Sequence, residues 1–244
     1  MGIRDSLLGI GKYVSRRLPT SILRPVTLPL IYQVRVADGF IYENGNMLNM
    51  AFAYCANNKI AGDFAEFGVF QGHTTIEAWK AAERYDLRDM NFWLFDSFQG
   101  LPEVGGKDSG GPFETSEFRC GRDQYEKNLR KYHVDFDRLK ITEGFFDQSL
   151  SALQTDRKLS IVWIDCDLYE STVPVLSWLS DKLVDGAVIC FDDWYSFSAH
   201  RDKGEQRACS EWLADNPDLH LMPYREFHWA GKSFICHKDP SARS

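Results

Sequence analysis

From Met47 onward the chain alternates short apolar runs with stretches of helical spacing, and this alternation restricts its fold more than any other feature. The runs at Asp63–Val69, Asn91–Phe95, Arg138–Thr142, Leu159–Ile164, Ala187–Phe191, Leu219–Met222 and Ser233–His237 have the length and apolar content of buried strands. Helical spacing fills Met47–Asn57, Thr74–Arg84, Arg122–Tyr132, Ser171–Leu183 and the region near Glu205–Ala214. Strands that alternate with helices pair in parallel, so the pattern predicts an α/β fold with a doubly wound, mostly parallel seven-stranded sheet. The last two runs are joined by Trp229-Ala230-Gly231-Lys232 with no helix between them. They are expected to form an antiparallel hairpin at the C-terminal edge.

Residues 1–40 depart from this pattern. Arg4, Lys12, Arg16, Arg17, Arg24 and Arg35 stand against Asp5 and Asp38, and Pro19, Pro25 and Pro29 break any long helix. The organisation expected is a basic N-terminal arm over 1–40 and a single domain over 41–240, with a lid-like, glycine-rich insertion at 97–121. An amphipathic basic arm can lie on a membrane surface. Packing on its own domain or on a second subunit is the favoured expectation, and with it a homo-oligomer. The chain has 28 basic and 35 acidic residues, a net charge of −7, which argues against a nucleic-acid partner. Six cysteines without C-x-x-C spacing are expected to be reduced thiols. With no signal peptide and no long apolar span in the sequence, the cytoplasm is the expected location.

In doubly wound sheets ligands bind beyond the carboxyl ends of the strands, near the switch point. The first strand ends in Glu66-Phe67-Gly68-Val69-Phe70-Gln71-Gly72, an E-x-G-x-x-x-G turn that lacks the third glycine of a dinucleotide fingerprint. The second ends at Asp96-Ser97, where a carboxylate is placed to accept hydrogen bonds from ribose hydroxyls. After the third come Phe145, Phe146 and Asp147, aromatic and acidic groups suited to an adenine ring. The fourth delivers Asp165 and Asp167 and the fifth Asp192 and Asp193. Four carboxylates on neighbouring tips repel one another unless a cation lies between them. Their hard oxygens suit Mg²⁺, Mn²⁺ or Ca²⁺.

These segments together, G-D-F-A-E-F-G-V-F-Q-G, F-D-S-F-Q-G-L-P-E, G-F-F-D-Q-S-L, I-D-C-D-L-Y-E-S-T and V-I-C-F-D-D-W, resemble the macrocin O-methyltransferase family. The resemblance runs from about Phe40 to Phe234 and leaves out the N-terminal arm. It implies a class I, Rossmann-like methyltransferase that uses S-adenosylmethionine and Mg²⁺ (Mn²⁺ as a substitute) to methylate a hydroxyl of a sugar or glycosylated natural product. Carried over, Glu66, Gly68 and Gly72 line the methionine side of the cofactor, Asp96 with Ser97 the ribose, and Phe146 and Asp147 the adenine. Asp165, Asp192 and Asp193 become metal ligands and Asp167 the general base. The chain has Phe70-Gln71-Gly72-His73 where the family often has W-R-G-G, and nothing after Tyr195 names the acceptor. Three alternatives stay open: a catechol-like phenol as acceptor, a D-x-D glycosyltransferase, and a binding protein that kept only the fold. His73, His200 and His228 are rival bases.

Overall fold

The computed structural model describes residues 42–153 and 155–239. In chain order its elements are helix α1 over 42–58, strand β1 Asp63–Phe67, helix α2 His73–Arg84, strand β2 Phe92–Asp96, helix α3 Arg122–Arg130 and strand β3 Leu139–Glu143. There follow the short helix α4 Phe146–Ser149, strand β4 Leu159–Ile164, helix α5 Tyr169–Leu179 and strand β5 Leu183–Phe191. Helix α6 Gly204–Asp215 and strands β6 Leu219–Phe227 and β7 Gly231–Lys238 complete the set. The strands form one seven-stranded sheet of order β3-β2-β1-β4-β5-β7-β6. Pairing is parallel from β3 to β5 and antiparallel at β5/β7 and β7/β6. The expected doubly wound sheet and its C-terminal hairpin are both present, with β7 inside the sheet and β6 at the edge.

Alternation along the strands explains the two helical layers. Phe64, Phe92, Leu94, Ile161, Trp163, Val188 and Cys190 face a core shared with α1, α2 and α3. Ala65, Phe67, Phe95, Val162, Ile164, Ala187, Ile189 and Phe191 face the opposite core, shared with α5 and α6. Successive side chains of a strand point to opposite faces, so an uninterrupted apolar run is what a strand covered on both sides requires.

Several boundaries differ from the sequence expectation. Strand β5 begins at Leu183, not Ala187, taking in Asp185 and Gly186 as it crosses the sheet end. Strand β6 continues to Phe227 through Pro223, where the register with β7 shifts. Proline is tolerated there because an edge strand can spare an N–H. Helix α5 covers Tyr169–Leu179 where Ser171–Leu183 was expected.

All six cysteines are buried free thiols. Among the described residues no helix is long and apolar enough to cross a membrane. The N-terminal arm lies outside the described residues.

Candidate active site

Register brings the strand tips level. Phe67 pairs with Phe95 and Ile164, and Ile164 pairs with Phe191. The next residues, Gly68, Asp96, Asp165 and Asp192, therefore leave the sheet side by side at its carboxyl edge. The ladder extends one step further: Gly68 N–H donates to the Phe95 carbonyl at 2.9 Å, Asp165 N–H to that of Phe67 at 2.9 Å, and Asp192 N–H to that of Ile164 at 2.8 Å.

Two glycines are required here by contact. Gly68 has φ +87°, and a Cβ on it would lie 2.0 Å from the Asp165 carbonyl oxygen. Gly72 has φ +85°, caps α2, and would bring a Cβ within 2.9 Å of the Tyr125 ring. Both positions favour glycine by backbone conformation as well as by space.

On the β1–β2 side the carboxylates are held by donors. Asp96 Oδ2 accepts the Val69 and Phe70 N–H groups at 2.8 and 3.2 Å, and Oδ1 accepts the Phe98 N–H at 2.6 Å. Burial raises its pKa and those three backbone bonds work against the rise. Glu66 is fully buried. Its Oε2 accepts the Thr75 hydroxyl at 2.7 Å, and its Oε1 has no partner among the described residues. Burial holds Glu66 well above the usual carboxylate range. The Ser97 hydroxyl is engaged in its own turn, donating to the Gly100 carbonyl at 2.9 Å and accepting the Gln99 N–H at 3.0 Å. Phe146 packs edge-on against Phe67 with ring centroids 6.0 Å apart, and Asp147 is exposed on α4.

On the β4–β5 side carboxylates face one another. Ligand oxygens of Asp165, Asp167 and Asp193 all lie within 4.8 Å of each other. Loss of hydration first, and then the charges of Asp192, Asp167, Asp193 and Glu205, push Asp165 well above the usual range. The same two causes raise Asp167, and burial pushes Asp193 up to about 6. Asp193 Oδ1 accepts the Ser196 hydroxyl at 2.7 Å. Asp192 stands in the same row but is turned to other partners: its Oδ1 meets Asn44 Nδ2 at 3.1 Å and His228 Nε2 at 3.2 Å. An all-oxygen set this close fits a hard divalent cation, whose charge would offset the repulsion.

Three of these partners escaped the sequence reading. Glu205, 1% exposed at the start of α6, accepts the Asp193 N–H at 3.0 Å through Oε2, while its Oε1 has no partner among the described residues. Asn44 comes from α1. His228 was considered only as a base. Its Nδ1 accepts the Ala230 and Gly231 N–H groups at 3.0 and 3.2 Å, so Nε2 carries the proton and points it at Asp192. Of the other rival bases, His73 opens α2 and His200 Nδ1 accepts the Asp202 N–H at 3.3 Å on the surface. No local pattern marks Glu205 or Asn44: the one accepts a backbone N–H 12 residues away across the turn before α6, and the other reaches a strand tip 148 residues away.

The profile of the macrocin O-methyltransferase (TylF) family matches residues 44–210, a range that holds every candidate carboxylate. The chain is 28% identical over 164 residues to the demethyldecarbamoylnovobiocin O-methyltransferase of Streptomyces niveus, covering 65% of this chain and 62% of that protein. It is 30% identical over 159 residues to the 8-demethyl-8-(2,3-dimethoxy-alpha-L-rhamnosyl)-tetracenomycin-C 4'-O-methyltransferase of Streptomyces olivaceus, covering 61% and 60%. These alignments thus span 62% and 60% of the relatives' own length. Among solved structures, that of the O-methyltransferase NovP superposes with a TM-score of 0.68 at 24% identity, over 81% of this chain and 80% of that one. At that identity the likeness concerns the fold.

Proposed function

The chain belongs to the macrocin O-methyltransferase family, and on that premise we propose that it transfers a methyl group from S-adenosylmethionine to a hydroxyl of a sugar or glycosylated natural product, with Mg²⁺ (or Mn²⁺) as metal. The observation that carries this reading is the meeting of the Asp165, Asp167 and Asp193 carboxylates at one end of the sheet, one strand away from the Gly68 turn. A glycosyltransferase would account for the D-x-D but not for the E-x-G-x-x-x-G turn beside it, nor for the family to which both belong.

The cofactor side is assigned to Glu66, Gly68 and Gly72 around the methionine moiety, Asp96 at the ribose, and Phe146 and Asp147 at the adenine. Ser97 shapes the turn that follows Asp96. In support, Asp96 is already fixed by three N–H groups, and the partnerless Glu66 Oε1 suits a ligand bearing a donor. When bound, S-adenosylmethionine supplies an electrophilic methyl group.

Asp165, Asp192 and Asp193 are assigned to the metal. When bound, the cation supplies the positive charge that makes an acceptor hydroxyl easier to deprotonate. Asn44 and His228 hold Asp192 and Glu205 holds the Asp193 backbone, so two of the three ligands are supported from behind. Asp167 takes the proton. Its carboxylate stands within 4.8 Å of the Asp165 and Asp193 ligand oxygens, beside the hydroxyl that a cation held there would orient, which is the position a general base needs.

The test is methyl transfer by the purified protein to a panel of sugars, glycosides and vicinal phenols, with and without a chelator. The reading expects a methylated sugar hydroxyl, loss of turnover on chelation, recovery with Mg²⁺, and thermal stabilisation by S-adenosylhomocysteine that Asp96→Ala removes. Transfer to phenols alone would change the acceptor. Full activity after chelation would remove the metal from the account.

A further inference from the structure

Asp167 occupies a strained position. Its φ is +59°, in the left-handed region, and the Leu168 N–H reaches back across it to the Cys166 carbonyl at 2.5 Å. A non-glycine residue keeps such a three-residue turn only where the surroundings over-determine it. Upstream the sheet does so, through the Asp165 N–H to the Phe67 carbonyl at 2.9 Å. Downstream the chain enters α5, whose N-cap residue Leu168 makes no side-chain capping bond. The first N–H groups of a helix need an acceptor from outside it.

That acceptor comes from the glycine-rich loop at 97–121. Asp108, 1% exposed, takes the Tyr169 N–H on Oδ1 at 2.8 Å and the Glu170 N–H on Oδ2 at 3.1 Å, from 61 and 62 residues away. A carboxylate at this end also meets the positive end of the helix dipole. The loop is itself pinned around Asp108. Lys107 Nζ donates to the Tyr169 hydroxyl at 2.7 Å, and Lys203 Nζ to the Lys107 and Ser109 carbonyls at 2.7 and 3.3 Å.

We propose that Asp108 is a positioning residue for the Asp165–Asp167 turn: a helix cap, delivered by the long loop, that fixes where the two carboxylates stand. The inference rests on the roles proposed above for those aspartates. Because the loop leaves the sheet at Asp96 and Ser97, one segment then spans both halves of the site. Its middle acts as a clamp and not as a freely swinging lid.

Three variants test this: Asp108→Ala, Asp108→Asn, and Leu179→Ala at the far end of the same helix, where a fully buried side chain is shortened without touching the cap. Hydrogen exchange over residues 165–170, Mg²⁺ affinity by calorimetry on chelator-stripped protein, and S-adenosylhomocysteine affinity are measured for each. Asp108→Ala is expected to speed exchange at Tyr169 and Glu170 and to weaken Mg²⁺ binding by roughly tenfold or more, the usual effect of losing a group that orients a ligand. S-adenosylhomocysteine binding should hold. Asp108→Asn, which keeps one acceptor oxygen, should recover part of the loss. Leu179→Ala should lower the melting temperature and leave Mg²⁺ affinity unchanged. Unaltered Mg²⁺ affinity in Asp108→Ala, or an equal loss in Leu179→Ala, overturns the proposal. A wild-type protein that binds no Mg²⁺ contradicts the proposed metal site instead, and the exchange data alone then decide whether Asp108 holds the turn.

Discussion

The two halves of the site use the same material, carboxylates at the ends of parallel strands, and treat it in opposite ways. Beside β1 and β2, Asp96 collects three backbone N–H groups and Glu66 a hydroxyl. Beside β4 and β5, the charges that weigh most on Asp165 are other carboxylates: Asp192, Asp167, Asp193 and Glu205. A buried charge is costly unless it is paired or hydrogen-bonded. In the first half Asp96 meets that condition within the folded chain, and Glu66 meets it on one oxygen. On the function proposed above, Asp165 and Asp167 would meet it with a cation bound. On that proposed function, the difference separates the side assigned to a polar organic ligand from the side assigned to a cation.

The largest expected effect comes from the residue said to do chemistry on the cation side. Asp167→Asn should slow the chemical step by about 10²–10⁴-fold, and excess Mg²⁺ should not restore it. Rescue by Mg²⁺ would move Asp167 among the ligands and sharpen the contrast further. Next comes the point where the halves touch. Gly68→Ala places a Cβ 2.0 Å from the Asp165 carbonyl at a φ of +87°, and the backbone strain alone costs roughly 1–3 kcal/mol. Thermal unfolding should show a clear fall in melting temperature, with both ligands bound more weakly. An unchanged melting temperature would mean that the two tips are not joined as described.

A smaller effect is expected with pH. Asp165, Asp167 and Glu205 are raised well above the usual range and Asp193 to about 6, so the folded protein binds these protons more tightly than the unfolded chain does. In metal-free protein the cluster's contribution to stability should therefore be fully present below the ordinary carboxylate pKa and be lost as pH rises through about 6 and beyond. Mg²⁺ should offset that loss. Its stabilisation, read by thermal melts with and without the ion, should be larger at neutral pH than in acid. The same stabilisation at both would show that the cluster is not under strain from its own charge.

The strand ends could be read from the sequence because their chemistry is local. Leu159–Ile164 is apolar but for Ser160 and stops at Asp165, and β4 has those same limits. Helix α5 could not be placed as well: its start at Tyr169 is fixed by Asp108, which no periodicity around residue 170 reveals. The identity of the acidic cluster was legible for the same reason as the strands, since D-x-D and D-D each follow an apolar run. Its arrangement was not. That Asp167 joins Asp165 and Asp193 while Asp192 turns to Asn44 and His228 follows from the left-handed turn and the β6–β7 hairpin. Glu205 was passed over as an ordinary helix residue, because its burial depends on where α6 packs.

The central claim, that the β4–β5 half is complete only with a cation, is tested most directly by titrating Mg²⁺ into chelator-stripped protein in a calorimeter at about pH 6, in buffers of different ionisation heat. Ligands with raised pKa values must release protons as the metal enters. The account predicts one saturable site, a heat that depends on the buffer in the sense of proton release, tighter binding as pH rises, and loss of binding in Asp165→Asn and Asp193→Asn but not in Asp96→Ala. No saturable binding, or binding that survives both cluster substitutions, would contradict it.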